Sequence, residues 1–407
     1  MLKITSMPKQ ISILLFSFFT ITLTAYSQNT YHEITLPGLM KKKQSGDNNM
    51  VIVDVRTKGE YGDTSRNKAS NIGHIKGAIN VTLQDLQQNP DAVKQLEPFK
   101  EKDIYLICSH SYRSRSASNI LLKNGFTHVS NVQGGMTEWY RRYDELASYR
   151  AAFLEKGITH NNISPEELLD QLTSEKKVLL FGIRNSPRAW FDSFNIKLYR
   201  YYPIFKNTVY FNYADSMKIL EAAQKAKQPV VFFNLVNNGA AELAEWLTQK
   251  AVPDVSYLVG GTNLFYEYAL NKQTPEKTEK LFTEQSLIRF ITPVIYCQRT
   301  SNKNMQLVDI RHDTLFNKVN SGVKHDYKHL KNAINFFAGK GASLFEQEFP
   351  DKKKEYVFIA DNVNDIALAD ELTKKGYKIS WMTGGLDRWE WYMNNVEDFK
   401  CNDLLSD

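Results

Sequence analysis

Cysteine is nearly absent from this chain: three in 407 residues, with no C-x-x-C and no paired Cys/His spacing. That excludes a disulfide framework as the source of the fold and leaves no ligand set for zinc. Glycine and proline are modest at 20 and 12, which excludes a collagen or a Pro/Gly-rich disordered chain. Nor is there a large excess of one charge. Basic residues number 51 against 45 acidic ones, a net +6 that falls to +4 when Lys3 and Lys9 are set aside. So small and scattered a surplus argues against nucleic acid as a partner. What remains is ordinary globular material, 42% hydrophobic and 24% charged. At about 100–200 residues per domain, the length allows two to four domains.

The first 27 residues read as a signal peptide. Lys3 and Lys9 give a positive start, Ile11 to Ala25 carry no charge, and Ala25-Tyr26-Ser27 offers small residues for cleavage before Gln28. The apolar run is shorter than the roughly 20 residues needed to span a bilayer. No later stretch is long enough to cross one. The expectation is a mature protein, free of the membrane after cleavage, in the periplasm or secreted, where thiols meet an oxidising environment.

The rest of the chain repeats itself. An Ile-Thr/Ser entry beside a Pro occurs at Ile34, Ile163 and Ile291. An apolar strand follows as VIVDVR (Val51–Arg56), LLFGIR (Leu179–Arg184) and QLVDIR (Gln306–Arg311). GHIKGAINV (Gly73–Val81) returns as HLKNAINF (His329–Phe336), with a drifted version at KNTVYF (Lys206–Phe211). A second buried strand is IYLI (Ile104–Ile107), VVFF (Val230–Phe233) and YVFI (Tyr356–Ile359), each followed by helical periodicity. Each unit closes on a Gly pair with an aromatic beyond: Gly134-Gly135 with Trp139, Gly260-Gly261 with Phe265, Gly384-Gly385 with Trp389. Short apolar strands alternating with helices predict α/β units, each a small parallel sheet with helices on both faces. The expected domains are 28–150, 158–272 and 286–407.

Only the first unit carries a chemical loop. Directly after IYLI stands Cys108-Ser109-His110-Ser111-Tyr112-Arg113-Ser114, feeding a helix expected over Ser114 to Asn124. A Cys at the carboxyl end of a parallel strand sits where open α/β sheets place their ligands. Inward backbone N–H groups, the helix dipole and Arg113 all favour thiolate over thiol, which makes Cys108 a candidate nucleophile. The bland alternative is a buried, inert Cys at a strand end.

The order DVR, GHIKGAINV, strand–C-x-x-x-x-R-S–helix and GG-x-x-x-W resembles the rhodanese (sulfurtransferase) family, as three tandem rhodanese-like domains of which only the first keeps the Cys loop. The resemblance implies that Cys108 takes a sulfane sulfur from an anionic donor, thiosulfate-like or an organic persulfide, and passes it to a thiol or cyanide. Arg113 would bind the donor's anionic end, and Ser109, His110, Ser111 and Tyr112 would supply amides to the loop. His110 is open to two readings, a donor-orienting group or a solvated loop residue. Ser111 departs from the Gly common at its place, a costly exchange if φ is positive there. The C-x4-R spacing is the tight loop associated with sulfur, whereas related phosphatases use C-x5-R. No cofactor or metal is called for.

In the second unit Asn234 falls on Cys108 and Gly239 on Arg113. In the third, Ile359 or Ala360 takes the Cys place, followed by acids and no Arg. Asp54 and Arg56 recur as Asp309 and Arg311, and His74 as His329, so both sets read as structural. Whether Cys297 and Cys401 pair stays open, because sequence gives no Cα separation. Trp190–Tyr213 holds ten aromatics in 24 residues. It reads as packing, as a surface for a protein partner, or as a wall over the Cys108 loop. The leading expectation is an exported sulfurtransferase. The alternative is a non-catalytic scaffold that binds a partner through the second domain, with Cys108 a regulated thiol.

Overall fold

The computed structural model describes residues 30–407 apart from 142, 175–176, 185–200, 235–238, 273–279, 284–285, 318–328, 396–398, 400 and 406–407. Residues 1–27, read as a signal peptide, lie outside the described residues.

Three five-stranded parallel sheets follow one another. The first holds β1 (His32–Thr35), β2 (Met50–Asp54), β3 (Ile79–Asn80), β4 (Asp103–Ile107) and β5 (Val129–Gln133), in the order β1-β5-β4-β2-β3. The second holds β6 (Asn161–Ile163), β7 (Leu179–Arg184), β8 (Thr208–Asn212), β9 (Val230–Phe233) and β10 (Val255–Leu258) in the order β6-β10-β9-β7-β8. The third holds β11 (Arg289–Ile291), β12 (Met305–Asp309), β13 (Ile334–Asn335), β14 (Glu355–Ile359) and β15 (Lys378–Met382) in the order β11-β15-β14-β12-β13. The spatial order is the same in all three.

Uniform apolar runs form these strands because both sheet faces are covered. Ile52 and Val53, Ile104 to Ile107, Val230 to Phe233 and Tyr356 to Ile359 are all buried. Full burial of each such side chain is worth about 1.5–3 kcal/mol relative to exposure.

A return strand closes the units. His74–Ile75 pairs antiparallel with Leu154–Glu155, Ile204–Phe205 with Phe282–Thr283, and Leu330 bridges Leu405. Ile75, Phe205 and Leu330 are buried each time, and a positive φ follows two residues on, at Gly77, Asn207 and Asn332. The polar stretches where apolar periodicity gives out are therefore not bare linker. Residues 154–155 and 282–283 pair back onto the unit before them.

One apolar cluster runs from the first sheet into the second, joining Ile75, Trp139 and Leu146 with Ala240, Leu243 and Leu247. Another joins the second to the third, from Phe205 and Phe265 to Phe290 and Phe358. Of the described part of the aromatic-rich stretch, Tyr202 and Phe205 belong here, whereas Phe211 and Tyr213 pack against the first-to-second cluster. Tyr202 packs on Tyr266 and Phe290, and Phe205 on Phe233, Phe265 and Phe282. These rings are core, so Tyr202 and Phe205 offer no surface to a partner and no wall to Cys108. Residues 190–200 lie outside the described residues. Cys297 and Cys401 form a disulfide with Cα atoms 5.9 Å apart, tying the tail to the first helix of the third unit.

Candidate functional site

β4 ends at Ile107, and Cys108 is the next residue, ahead of helix α1 (Tyr112–Lys123). The helix starts two residues earlier than its apolar periodicity predicts, so Tyr112 and Arg113 form its first turn. Turning so abruptly into the helix requires Ser111 at φ +70°. A non-Gly residue pays about 1–2 kcal/mol there. The buried Ser111 Oγ recovers part of this by donating to the Val132 carbonyl at 3.0 Å.

The Gly pair braces the loop from below. Met136 N–H donates to the Cys108 carbonyl at 2.8 Å, and Thr137 N–H to the Ser109 carbonyl at 3.1 Å. A Cβ on Gly135 would sit 2.2 Å from the Cys108 carbonyl oxygen, so only glycine permits this approach.

Cys108 is 1% exposed. Ser114 Oγ lies 3.4 Å from its Sγ and 2.6 Å from Asn131 Oδ1, and Asn131 Nδ2 donates to Glu33 at 2.6 Å. The hydroxyl has one proton. Turned to Asn131 it leaves a lone pair toward the thiol, and turned to Sγ it stabilises a thiolate.

Arg113 does not stand free for a donor. Its guanidinium donates to both Glu60 oxygens, at 2.6 and 2.7 Å, and to Ser109 Oγ at 2.5 Å. Burial alone would raise the Glu60 carboxyl, but Arg113 and the Thr57 hydrogen bonds hold it down at about 2. Thr57 and Glu60 also form a capping box on the short helix Lys58–Tyr61. The sequence signal T-x-x-E marks that cap and nothing more. Its second role, neutralising a loop Arg 53 residues away, is visible only in three dimensions. A cavity of about 400 Å³ flanks Arg113, with Thr57, Lys58, Thr82 and Asp85 on its wall. A second cavity, about 390 Å³ between Arg289, Glu355 and Lys378, sits at the opposite ends of the third sheet's strands, away from any such loop.

His110 lies at the loop tip and is an exposed residue. The surrounding protein and the positive charges of Arg141, Arg113 and Arg388 lower its imidazole pKa from the usual range. Tyr112 is 61% exposed. The loop residues Cys108 to Arg113 are thus one contiguous site. Among the described residues, no group of three or more His, Cys, Asp or Glu could hold a metal ion. Among them also, no helix is long and apolar enough to cross a membrane.

The counterparts are built alike without the chemistry. Asn234 follows β9, and its carbonyl accepts from Thr262 N–H at 2.8 Å, the bond that Met136 gives Cys108. Its side chain bridges the Ile183 carbonyl and Ala240 N–H. Gly239, at φ +71° before the helix Ala240–Gln249, takes the place of Ser111 rather than of Arg113, because this loop is two residues longer. In the third unit Ala360 follows β14, and a Cβ on Gly385 would meet its carbonyl at 2.4 Å, which settles Ala360 as the Cys108 counterpart. Asp54 and Arg56 form a fully buried pair at 2.7 Å, mirrored by Asp309 and Arg311 at 2.6 Å. Asn80 and Asn335 clamp the two turns identically. His74 stacks on Tyr61 and His329 on Phe316, as structural residues do.

A family model for the rhodanese-like domain matches residues 37–142 and 292–391, together half of the chain. The chain belongs to the rhodanese-like domain family. Its two matched stretches contain the first and third Gly pairs, and residues 143–291 lie outside both. Among similar proteins, the uncharacterized YqhL of Bacillus subtilis (strain 168) is 29% identical over 134 residues, 33% of this chain and 94% of YqhL. The tRNA uridine(34) hydroxylase of Yersinia enterocolitica is 35% identical over 100 residues, 24% of this chain and 26% of the hydroxylase. The match therefore spans about a quarter of the hydroxylase's length. The wild-type structure of EanB aligns over 91% of this chain and 97% of its own at 15% identity, with a TM-score of 0.28.

Proposed function

We propose that this rhodanese-like protein is an exported sulfurtransferase. Cys108 accepts a sulfane sulfur from an anionic donor as a persulfide and yields it to a thiol or cyanide. The observation that carries this reading is the loop itself: a Cys at a parallel strand's end, Ser114 Oγ at 3.4 Å from its sulfur, and Arg113 in the first turn of the following helix. Ser114 Oγ can donate to that sulfur, and the loop opens directly into the N-terminus of the helix, while the Arg113 guanidinium is shared with Glu60. The second and third sheets, equal in order to the first but with Asn234 and Ala360 at the Cys place, are degenerate rhodanese-like domains that support the first. Export is supported by the leader-like residues 1–27 and by the Cys297–Cys401 disulfide, which suits an oxidising compartment.

The burial of Cys108 favours the second reading, a scaffold with an inert or regulated thiol. Intact-mass measurement after incubation with thiosulfate and with an organic persulfide separates the two. Gain of one sulfur atom by the wild type, lost in Cys108→Ser with the fold intact, is expected. A folded wild type that gains no sulfur from either donor would leave the scaffold reading.

A further inference from the structure

The residue six places after the second Gly of each pair is Arg141, Glu267 and Trp391 in turn. These three equivalent positions converge. Arg141 lies over the Trp391 ring at 4.9 Å, and Arg388, one helical turn before Trp391, lies over the same ring at 3.9 Å. Arg388 also donates to Glu267 at 2.5 Å, and Tyr392 to the same oxygen at 2.7 Å. The first and third units meet again where Arg115 approaches Glu390 at 3.6 Å. Thr137, one turn before Arg141, donates its N–H to the Ser109 carbonyl at 3.1 Å, and Arg115 lies on the helix that leaves the loop, so this junction adjoins the Cys108 loop.

The cations here are not equivalent. Arg113 is balanced by Glu60 through two hydrogen bonds, and Arg388 by Glu267. Arg141 has Glu138 at 3.6 Å and feels the more distant Glu267, which Arg388 already engages, and its Nε is buried with no hydrogen-bond partner among the described residues. A buried donor on a charged group that lacks an acceptor costs about 1–3 kcal/mol or more, a cost that a bound anion removes. The flat indole beside it gives an apolar wall that suits an organic group better than a bare tetrahedral oxyanion.

We propose that Arg141, backed by Trp391 and Arg388 of the third unit, is the specificity residue of the Cys108 site, and that it binds the carboxylate of a small organic persulfide in preference to inorganic thiosulfate. This rests on the sulfur-transfer reading of Cys108. The Cys108 thiolate attacks the outer sulfur of R–S–SH. A bond from Sγ to that sulfur forms as the S–S bond of the donor breaks, the bonding pair leaves as R–S⁻, and the outer sulfur keeps its proton. No oxidant or reductant is required.

The test uses the full mature chain and two donors differing only in charge, N-acetylcysteine persulfide and N-acetylcysteine amide persulfide. Single-turnover persulfide formation at Cys108 is followed by intact mass against donor concentration. The wild type should half-saturate at about tenfold lower concentration of the carboxylate donor, the size of one charge-assisted hydrogen bond. Arg141→Gln should shrink that preference below about twofold, with the saturating rate unchanged. Equal use of both donors by the wild type, or an Arg141→Gln variant that keeps the preference, overturns the proposal while leaving sulfur transfer intact. If Arg141→Gln does not fold, the wild-type donor comparison decides alone. No sulfur on Cys108 from either donor removes the proposal together with the reading beneath it.

Discussion

The Cys108 loop and its counterparts at Asn234 and Ala360 share a frame and differ in what they leave available. In each, a strand ends under a Gly-pair turn. In the first unit that turn holds the Cys108 carbonyl, in the second that of Asn234, and in the third it closes on Ala360. Asn234 spends its side chain on the strand-to-helix junction, and Ala360 has none to spend. Only Cys108 puts a polarisable atom there. The frame is thus maintained by backbone contacts indifferent to the side chain at this position, which lets chemistry vary without loss of fold.

The most drastic way to break the comparison is to move the cysteine. Ala360→Cys in a Cys108→Ser background should show no sulfur transfer at all. Asp361 stands next to it, where a carboxylate repels an anionic donor, and no Arg follows in the loop. Transfer by this variant in a thiol-acceptor assay would mean that the frame alone suffices.

Next come the shared buried pairs. Arg56→Met and Arg311→Met each strand a buried carboxylate, and each should cost about 3–5 kcal/mol in urea unfolding. Similar losses in both support a common scaffold role. A loss confined to Arg56 would tie that pair to the active loop.

Glu60 sharpens the difference between an Arg that is balanced and one that is not. Its folded pKa, about 2, lies below the ordinary carboxylate value of 4.5. Its contribution to stability is therefore complete above pH 4.5 and is lost as pH falls from there toward 2. Glu60→Gln should flatten that acid limb in pH-dependent unfolding. It should also free Arg113, lowering the half-saturating thiosulfate concentration several-fold, a change of about 1 kcal/mol.

The smallest effect concerns the left-handed residue before each helix. Ser111→Gly relieves about 1 kcal/mol of backbone strain and forfeits a buried hydrogen bond of similar size, so its melting point should barely move. Gly239→Ser in the second unit has only the strain, and should lose about 1 kcal/mol.

Much of this frame was legible in the residues. The apolar strands, the Gly pairs and the Asp-x-Arg turns are local patterns with one physical meaning each, and they recur at a fixed spacing. Cys108 stood out because it is a rare residue type at a strand end. What the sequence hid was pairing over distance. Glu60 reads as a helix cap, Ser114 as an ordinary helical serine, and Asn131 as one polar residue within a strand. The return strands at 154–155 and 282–283 are two residues long, too short for periodicity to register. Aromatic density points to Trp190–Tyr213 as the wall near the loop. The structure places Tyr202 and Phe205 in the core and brings Trp391 to the junction instead. The equal offset of Arg141, Glu267 and Trp391 from their Gly pairs was the available signal.

The central claim is that one loop of three works, through one sulfur atom. The measurement that tests it most directly is peptide mapping by mass after the full chain is treated with an organic persulfide. The account predicts one added sulfur on the peptide carrying Cys108, discharged by a thiol, with the Cys297–Cys401 pair unchanged. A folded protein with Cys108 unmodified, or transferable sulfur found on Cys297 or Cys401, would contradict it.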